Sequence, residues 1–437
     1  MARRLRKKRI AIILLTFTAI VAWSTHSCVS RCTSSSDKEK AKDTLPKAHI
    51  NDSISNALTE GKEYHKMDSL VERYLKRWEI NGAQIVITRN DSLLYARGFG
   101  WADKERGIRM EPNMLMRFAS ISKLITAVGI MKLQEMKKLK MNEKVFGPKG
   151  ILNDTTYNNS IKDQRYYNIT VEQLLRHQAG FNNYAGDPVS STRYIMMQNR
   201  LTTPPDHKTL LKILLKRHLG YTPGEGKCYS NLGYMILSMI IEKKSRMKYE
   251  NFMQKYVLQP AGCYDMHIAG TYYKDRRPNE TKYYMHQGSI PVYEYNNSGR
   301  MVEKCYGDTD LPRLSGAGAW CGSAAELSRL IASIDGLPHV KDILSQKSIQ
   351  FMTTEQPDHQ YSIGWNYTPK SNRPWIRTGS LAGTSAIVLK YPDGQCWILI
   401  TNTSTWKGHG FSNDTVAFFE KLRKQFMADM PKKDLFI

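Results

Sequence analysis

Apolar residues at Met67, Leu70, Val71, Tyr74, Leu75 and Trp78 recur at helical spacing, so an amphipathic helix is predicted where the folded body begins. The period then drops to two. Residues 84–88 and 93–98 read as strands joined at Asn90-Asp91, and three further strands are predicted at 361–367, 385–391 and 395–401. Pro392-Asp393-Gly394 joins the last two as a turn, proline setting φ and glycine supplying a positive φ. Between these strand-forming ends the pattern is helical. Thr170 and Gln173 form a capping box for a helix over 171–177, residues 232–242 are apolar enough to be buried on all sides, and 324–334 is periodic. A closing helix over 415–427 carries Val416, Phe418, Phe419, Leu422 and Phe426. Strands at both ends with helices between them predict an α+β fold, in which both chain ends complete one antiparallel sheet with flanking helices and an inserted helical region. No internal repeat is visible.

The N-terminus departs from this pattern. Met1 to Arg9 holds six Lys or Arg and no acid, and residues 10–23 are biased to apolar types. Such a segment reads as an export signal, since a spanning helix usually needs about 20 apolar residues. Residues 1–27 are therefore expected to be a signal peptide or an N-terminal membrane anchor, with Ala22-Trp23-Ser24 as a cleavage site and Cys28 as a lipid-bearing alternative. Residues 28–65, rich in Ser, Lys and Asp, are expected to be a flexible linker, and 66–432 the folded domain. The expected location is outside the cytoplasm, periplasmic or anchored to the envelope membrane.

Composition adds little beyond this. With 41% hydrophobic and 10% aromatic residues the chain has ample material for a core. The net charge of +24 falls to +18 without the six basic leader residues, and no single basic block dominates the rest. A solvated surface with many lysines accounts for it, with attraction to anionic envelope surfaces or carboxylate-bearing substrates as the alternative, and an exported protein rarely meets nucleic acid. The seven cysteines include no close pair within the body, so neither a metal site nor a redox motif is expected, and disulfide connectivity stays open.

Chemistry enters at Ser120-Ile121-Ser122-Lys123, where a hydroxyl and an amine one helical turn apart open an apolar helix. The spacing recurs at Ser35 and Lys38, Ser245 and Lys248, and Ser404 and Lys407, but only Ser120 follows a hydrophobic approach into a helix. Two later motifs separate it further: Tyr229-Ser230-Asn231 in a Pro- and Gly-marked loop, and Arg377-Thr378-Gly379-Ser380. In this order the three motifs resemble those of the serine beta-lactamase and penicillin-recognising hydrolase family, nearest its class C branch, with its D-alanyl-D-alanine carboxypeptidases and esterases. The resemblance covers roughly residues 66 to 430.

That resemblance implies a two-lobed architecture with the site at the lobe junction. It implies Ser120 as nucleophile, Lys123 and Tyr229 as acid/base partners, and Asn231 as a hydrogen-bonding partner of the substrate or Lys123. Thr378 would contact the substrate, Gly379 would permit close approach, and the N–H groups of Ser120 and Ser380 would hold the oxyanion. Arg377 stands where the family usually has Lys or His. Arginine grips a carboxylate but does not exchange protons near neutrality, so Arg377 is expected to anchor a carboxylate-bearing substrate. His177 is expected to be structural, satisfying backbone carbonyls after a helix end, and the small-residue run from Ser315 to Trp320 is left without a role. The expected function is an exported serine hydrolase acting on a β-lactam, a D-amino-acid peptide or a small ester, without a cofactor. A binding or sensor domain of the same fold that has lost turnover is the alternative.

Overall fold

The computed structural model describes residues 49–184, 186–355 and 361–436, so the leader and the first part of the expected linker lie outside the described residues. The first long helix, α1 (His65–Arg77), buries Met67, Val71 and Leu75, the stripe that the helical period marks. Three strands follow: β1 (Gly82–Arg89), β2 (Ser92–Asp103) and the short β3 (Ile108–Arg109). At the hairpin between β1 and β2, Asn90 and Asp91 have φ of 46° and 67°. Two left-handed residues in succession give the turn a twist that suits paired strands.

After β4 (Met116–Arg117) the chain enters the helical region, whose members include α2 (Ser122–Glu135), α3 (Val171–Leu175) and α4 (Asn231–Ser245). Thr170 and Gln173 form the expected capping box on α3. Both α2 and α4 are buried on nearly every side, so their sequences are apolar all round instead of striped. Short strands β5 (His267–Ile268), β6 (Val292–Tyr293), β7 (Met301–Val302) and β8 (Trp320–Gly322) precede α5 (Ala324–Ala332). The chain ends with β9 (Trp375–Leu381), β10 (Thr384–Lys390), β11 (Gln395–Thr401) and α6 (Phe411–Phe426).

Six strands form one sheet in the order β3-β2-β1-β11-β10-β9, with antiparallel neighbours. Its centre joins the two ends of the folded body, β1 against β11, as strands at both ends of the pattern predict. Alternation sorts side chains between two cores. Ile85, Ile87, Ile387, Leu389, Trp397 and Leu399 pack under α1 and α6. Val86, Ala386, Val388, Ile398 and Ile400 face the helical region with residues of α2 and α4. Helices thus cover both faces, and β9 is left as an open edge.

Three expectations change. Residues 361–367 form no strand: one bridge, Tyr367 to Ile376, is all that pairs there. Gly364 has φ +79°, and a Cβ on it would lie 2.9 Å from Leu124, so the segment bends to run against α2. The described part of the expected linker is packed: the Asn56 side chain accepts the Gly98 N–H at 2.8 Å, and Arg97 donates to the Thr59 carbonyl at 2.6 Å. At the other end, beyond residue 432, Leu435 donates to the Leu93 carbonyl at 2.8 Å. Polar side chains and backbone make these contacts, which an apolar pattern does not register. The five described cysteines are free thiols.

Asp91 in the hairpin turn is 1% exposed. Its neighbours are Lys390, 3.9 Å away and itself paired with Asp335, and the Val340 N–H. Burial, helped by the Asp335 charge, pushes the Asp91 carboxyl up to about 7 against the pull of Lys390. A carboxyl raised in the folded state adds stability that is complete below its unfolded value near 4 and is lost as pH rises through about 7. Replacing Asp91 with Asn is expected to raise Tm by a few degrees at pH 8 and far less at pH 5. Calorimetry at the two pH values checks this, and equal shifts at both would remove Asp91 as the source.

Candidate active site

Pairing of β4 with β8 delivers the chain into a tight turn, Ala119–Ile121, that runs straight into α2. Ala119 takes φ +50°, a conformation that costs a residue with a Cβ, and it sets the direction of Ser120. One turn on, Lys123 is fully buried. Its ammonium donates to Ser120 Oγ at 3.2 Å, to Asn231 Oδ1 at 2.6 Å and to the Ala317 carbonyl at 2.6 Å. A protonated lysine has three N–H donors, and here each has an acceptor. Burial lowers the Lys123 pKa, the Tyr229 oxygen opposes that shift, and the Arg377 charge adds to it.

The acceptors come from distant parts of the chain. Asn231 is the first residue of α4, whose N-cap Ser230 accepts the Gly233 N–H at 3.1 Å. Ahead of it the loop is held residue by residue. The Ser230 N–H donates to His177 Nδ1 at 3.1 Å, the Asn231 N–H to Asp187 Oδ2 at 3.0 Å, and the Asn183 amide to the Tyr229 carbonyl at 2.7 Å. Ala317 belongs to the small-residue run left without a role in the sequence. A Cβ on Gly316 would lie 2.7 Å from Thr126 Oγ1, so small residues there let a carbonyl reach the lysine.

Tyr229 lies with its ring 4.7 Å from the Lys123 ammonium and 4.5 Å from the His177 ring. Burial alone would raise its pKa. The charges of Lys123 and Arg377 overcome this, with hydrogen bonding from Lys123 and Ser120, and hold the phenol at about 8. His177, with φ +59°, is a neutral acceptor: burial drives its pKa well below the ordinary value, and Lys123 and Arg377 push the same way. Its ring therefore holds a backbone N–H, where a bond to carbonyls was expected.

The edge strand β9 closes the site. A Cβ on Gly379 would stand 2.3 Å from the Phe118 carbonyl and 3.1 Å from the Ser120 N, so only glycine lets the strand come this close. The Thr378 N–H leaves the open edge to reach Asn366 Oδ1 at 2.8 Å. Two residues along, alternation puts the Ser380 N–H on that same edge, next to the Gly379 that abuts the Ser120 N. The side chains of Thr378 and Ser380 fall on the opposite face from Gly379 and line a cavity of about 140 Å³ with Ser385, Phe411 and Ser412.

Arg377 departs from expectation. It is 1% exposed, and its guanidinium donates twice to the Ser120 carbonyl, through Nε at 3.0 Å and through a second nitrogen that also lies 3.4 Å from the Tyr229 oxygen. Pairing with Val388 puts it on the sheet face that packs on the helical region, turned inward. Ser120, Lys123, Tyr229, Asn231, Arg377, Gly379 and the backbone of Ser380 thus meet at one place. Asp187 and Tyr361, whose ring lies 5.8 Å from that of Tyr229, complete the surroundings without any sequence signal that singled them out. Among the described residues one group, His267, Glu280 and Cys321, has donor atoms close enough for a metal. Its carboxylate is already balanced by the Arg117 charge and hydrogen-bonded by the Tyr283 hydroxyl, so it does not call for a cation.

A hydroxyl with an adjacent phenol of lowered pKa, a buried cation and the edge of β9 drawn up against its own N–H suits nucleophilic attack on a carbonyl. Known proteins agree with the architecture. The beta-lactamase family model matches residues 67–419. The chain is 24% identical over 351 residues to penicillin-binding protein 4* of Bacillus subtilis, covering 77% of this chain and 70% of that one. It is 27% identical over 233 residues to protein flp of Staphylococcus aureus, covering 52% of this chain and 42% of that one. Among solved structures, D-amino acid amidase from Ochrobactrum anthropi SV3 superposes with a TM-score of 0.65 at 18% identity, over 83% of this chain and 99% of that one. With more than half of its length inside the family model and the family's motifs gathered around one serine, this chain belongs to the beta-lactamase family and is a serine hydrolase.

Proposed function

We propose that this chain cleaves an amide or ester bond through an acyl-enzyme on Ser120. The observation that carries the reading is the Tyr229 phenol set between the Lys123 and Arg377 charges beside Ser120. Held by Ser120, Asn231 and Ala317, the Lys123 ammonium is fixed beside the Tyr229 oxygen, whose phenol it and Arg377 hold at about 8, and Tyr229 takes the proton. In the first step the Tyr229 phenolate removes the Ser120 proton as Oγ bonds to the carbonyl carbon, and the new oxyanion accepts from the Ser120 and Ser380 N–H groups. Collapse breaks the bond to the leaving group, which departs with the proton from Tyr229. Water then adds to the ester, its proton passing through Tyr229 back to Ser120 Oγ as the acid is released.

The acyl donor we propose is a small molecule or short peptide of D-amino-acid type. The similarity to D-amino acid amidase supports this class. We further propose that the protein is exported and works in the cell envelope. The support is the basic and apolar leader of residues 1–23. Among the described residues no helix is long and apolar enough to cross a membrane.

Intact-protein mass after exposure to a penicillin and, separately, to a fluorophosphonate tests the acyl-enzyme. At least one reagent is expected to add a single adduct that is lost in Ser120→Ala, while Tyr229→Phe slows its formation about 10²–10⁴-fold. A wild-type chain that stays unlabelled by both would leave a binding domain without turnover. Gly379→Ala is expected to lower kcat/KM on an ester substrate about a hundredfold by pushing β9 off the Ser120 turn. Activity within threefold of wild type would remove the close approach from the account.

A further inference from the structure

The sequence expectation for Arg377 is an anchor for a substrate carboxylate. Its guanidinium lies inside, and three parts of the machinery meet on it. Through Nε and a second nitrogen it grips the carbonyl of Ser120, the nucleophile's own peptide group. The second nitrogen also approaches the Tyr229 oxygen at 3.4 Å. Its backbone belongs to β9, two residues before the Gly379-Ser380 step that faces the Ser120 N–H. We infer that Arg377 is a positioning residue that locks the nucleophile turn, the Tyr229 oxygen and the oxyanion strand to one another, and that it does not bind the substrate's carboxylate. This rests on the reading of Ser120 and Tyr229 as nucleophile and base.

The geometry needs arginine and not merely a positive charge. Lysine offers a point charge with single bonds, whereas the planar fork can give two N–H groups to one carbonyl and still face a second oxygen. A substrate carboxylate could take the fork only by displacing the Ser120 carbonyl, which would loosen the turn that aims the hydroxyl. The charge has its own effect. Together with Lys123 it holds the Tyr229 phenol at about 8 against burial.

The test is the pH dependence of Ser120 labelling by a neutral fluorophosphonate, which carries no carboxylate to anchor. In the wild type the labelling rate is expected to rise with pH through a midpoint near 8, as Tyr229 ionises. In Arg377→Gln the midpoint is expected to move up by about one unit or more, with labelling at pH 7 slowed about tenfold or more. Arg377→Lys is expected to keep the midpoint within about half a unit while labelling more slowly, because the charge stays and the fork is lost. An unchanged midpoint and rate in Arg377→Gln would overturn the inference. So would full wild-type labelling in Arg377→Lys, which carries the test alone if the Gln variant is too unstable to purify. Absence of labelling in the wild type would instead strike at Ser120 as nucleophile, so the two failures are distinguishable.

Discussion

A single buried ammonium organises this molecule. Lys123 sits fully out of water, where an ion left without partners costs about 3–5 kcal/mol, and it is tolerated because one local acceptor and two from distant segments converge on it. Those acceptors are the Ser120 hydroxyl at the start of its own helix, the Asn231 side chain at the start of α4, and the Ala317 carbonyl in the small-residue run before β8. Satisfying the charge therefore demands that α2, α4 and that run be packed in one arrangement only. The arrangement that satisfies it also puts a phenol and a hydroxyl beside a cation. Stability and reactivity share this constraint.

The second cation explains why the site keeps its shape where the family's usual Lys or His is absent. Arg377 reaches the Ser120 carbonyl from the sheet side while Lys123 reaches the Ser120 hydroxyl from the helix side, so Ser120 is held from both. Tyr229 lies between the two charges, with its backbone fixed by Asn183 and its neighbour Ser230 held by a neutral His177. A neutral imidazole suits that place, because a third positive charge beside Lys123 and Arg377 would work against both.

Much of this was legible in the sequence, and the reasons are local. Hydrophobic period located the helices and most strands because burial decides them, and Thr170 with Gln173 announced a helix start. The three motifs pointed to Ser120, Lys123, Tyr229, Asn231 and Gly379 because their short spacings put them where a turn enters α2, where a loop enters α4, and on β9. The miss at 361–367 came from reading an apolar run as a strand when Gly364 and contact with α2 bend it. The direction of Arg377 was missed for want of register. Once β9 is paired with β10, Val388 fixes the face on which Arg377 falls, and that face turns inward. Asp187 and the Ala317 carbonyl carry no motif, since a backbone oxygen and a lone loop carboxylate acquire their roles only from the neighbours that folding brings.

We propose that the Lys123 and Arg377 charges make Tyr229 a base near neutral pH in the resting protein. The most direct measurement is an NMR titration of the protein carrying ¹³C at the tyrosine Cζ positions, with Tyr229→Phe identifying the resonance. The account predicts one tyrosine that ionises near pH 8 and disappears in the variant. A Tyr229 signal that stays protonated up to pH 10 would contradict it.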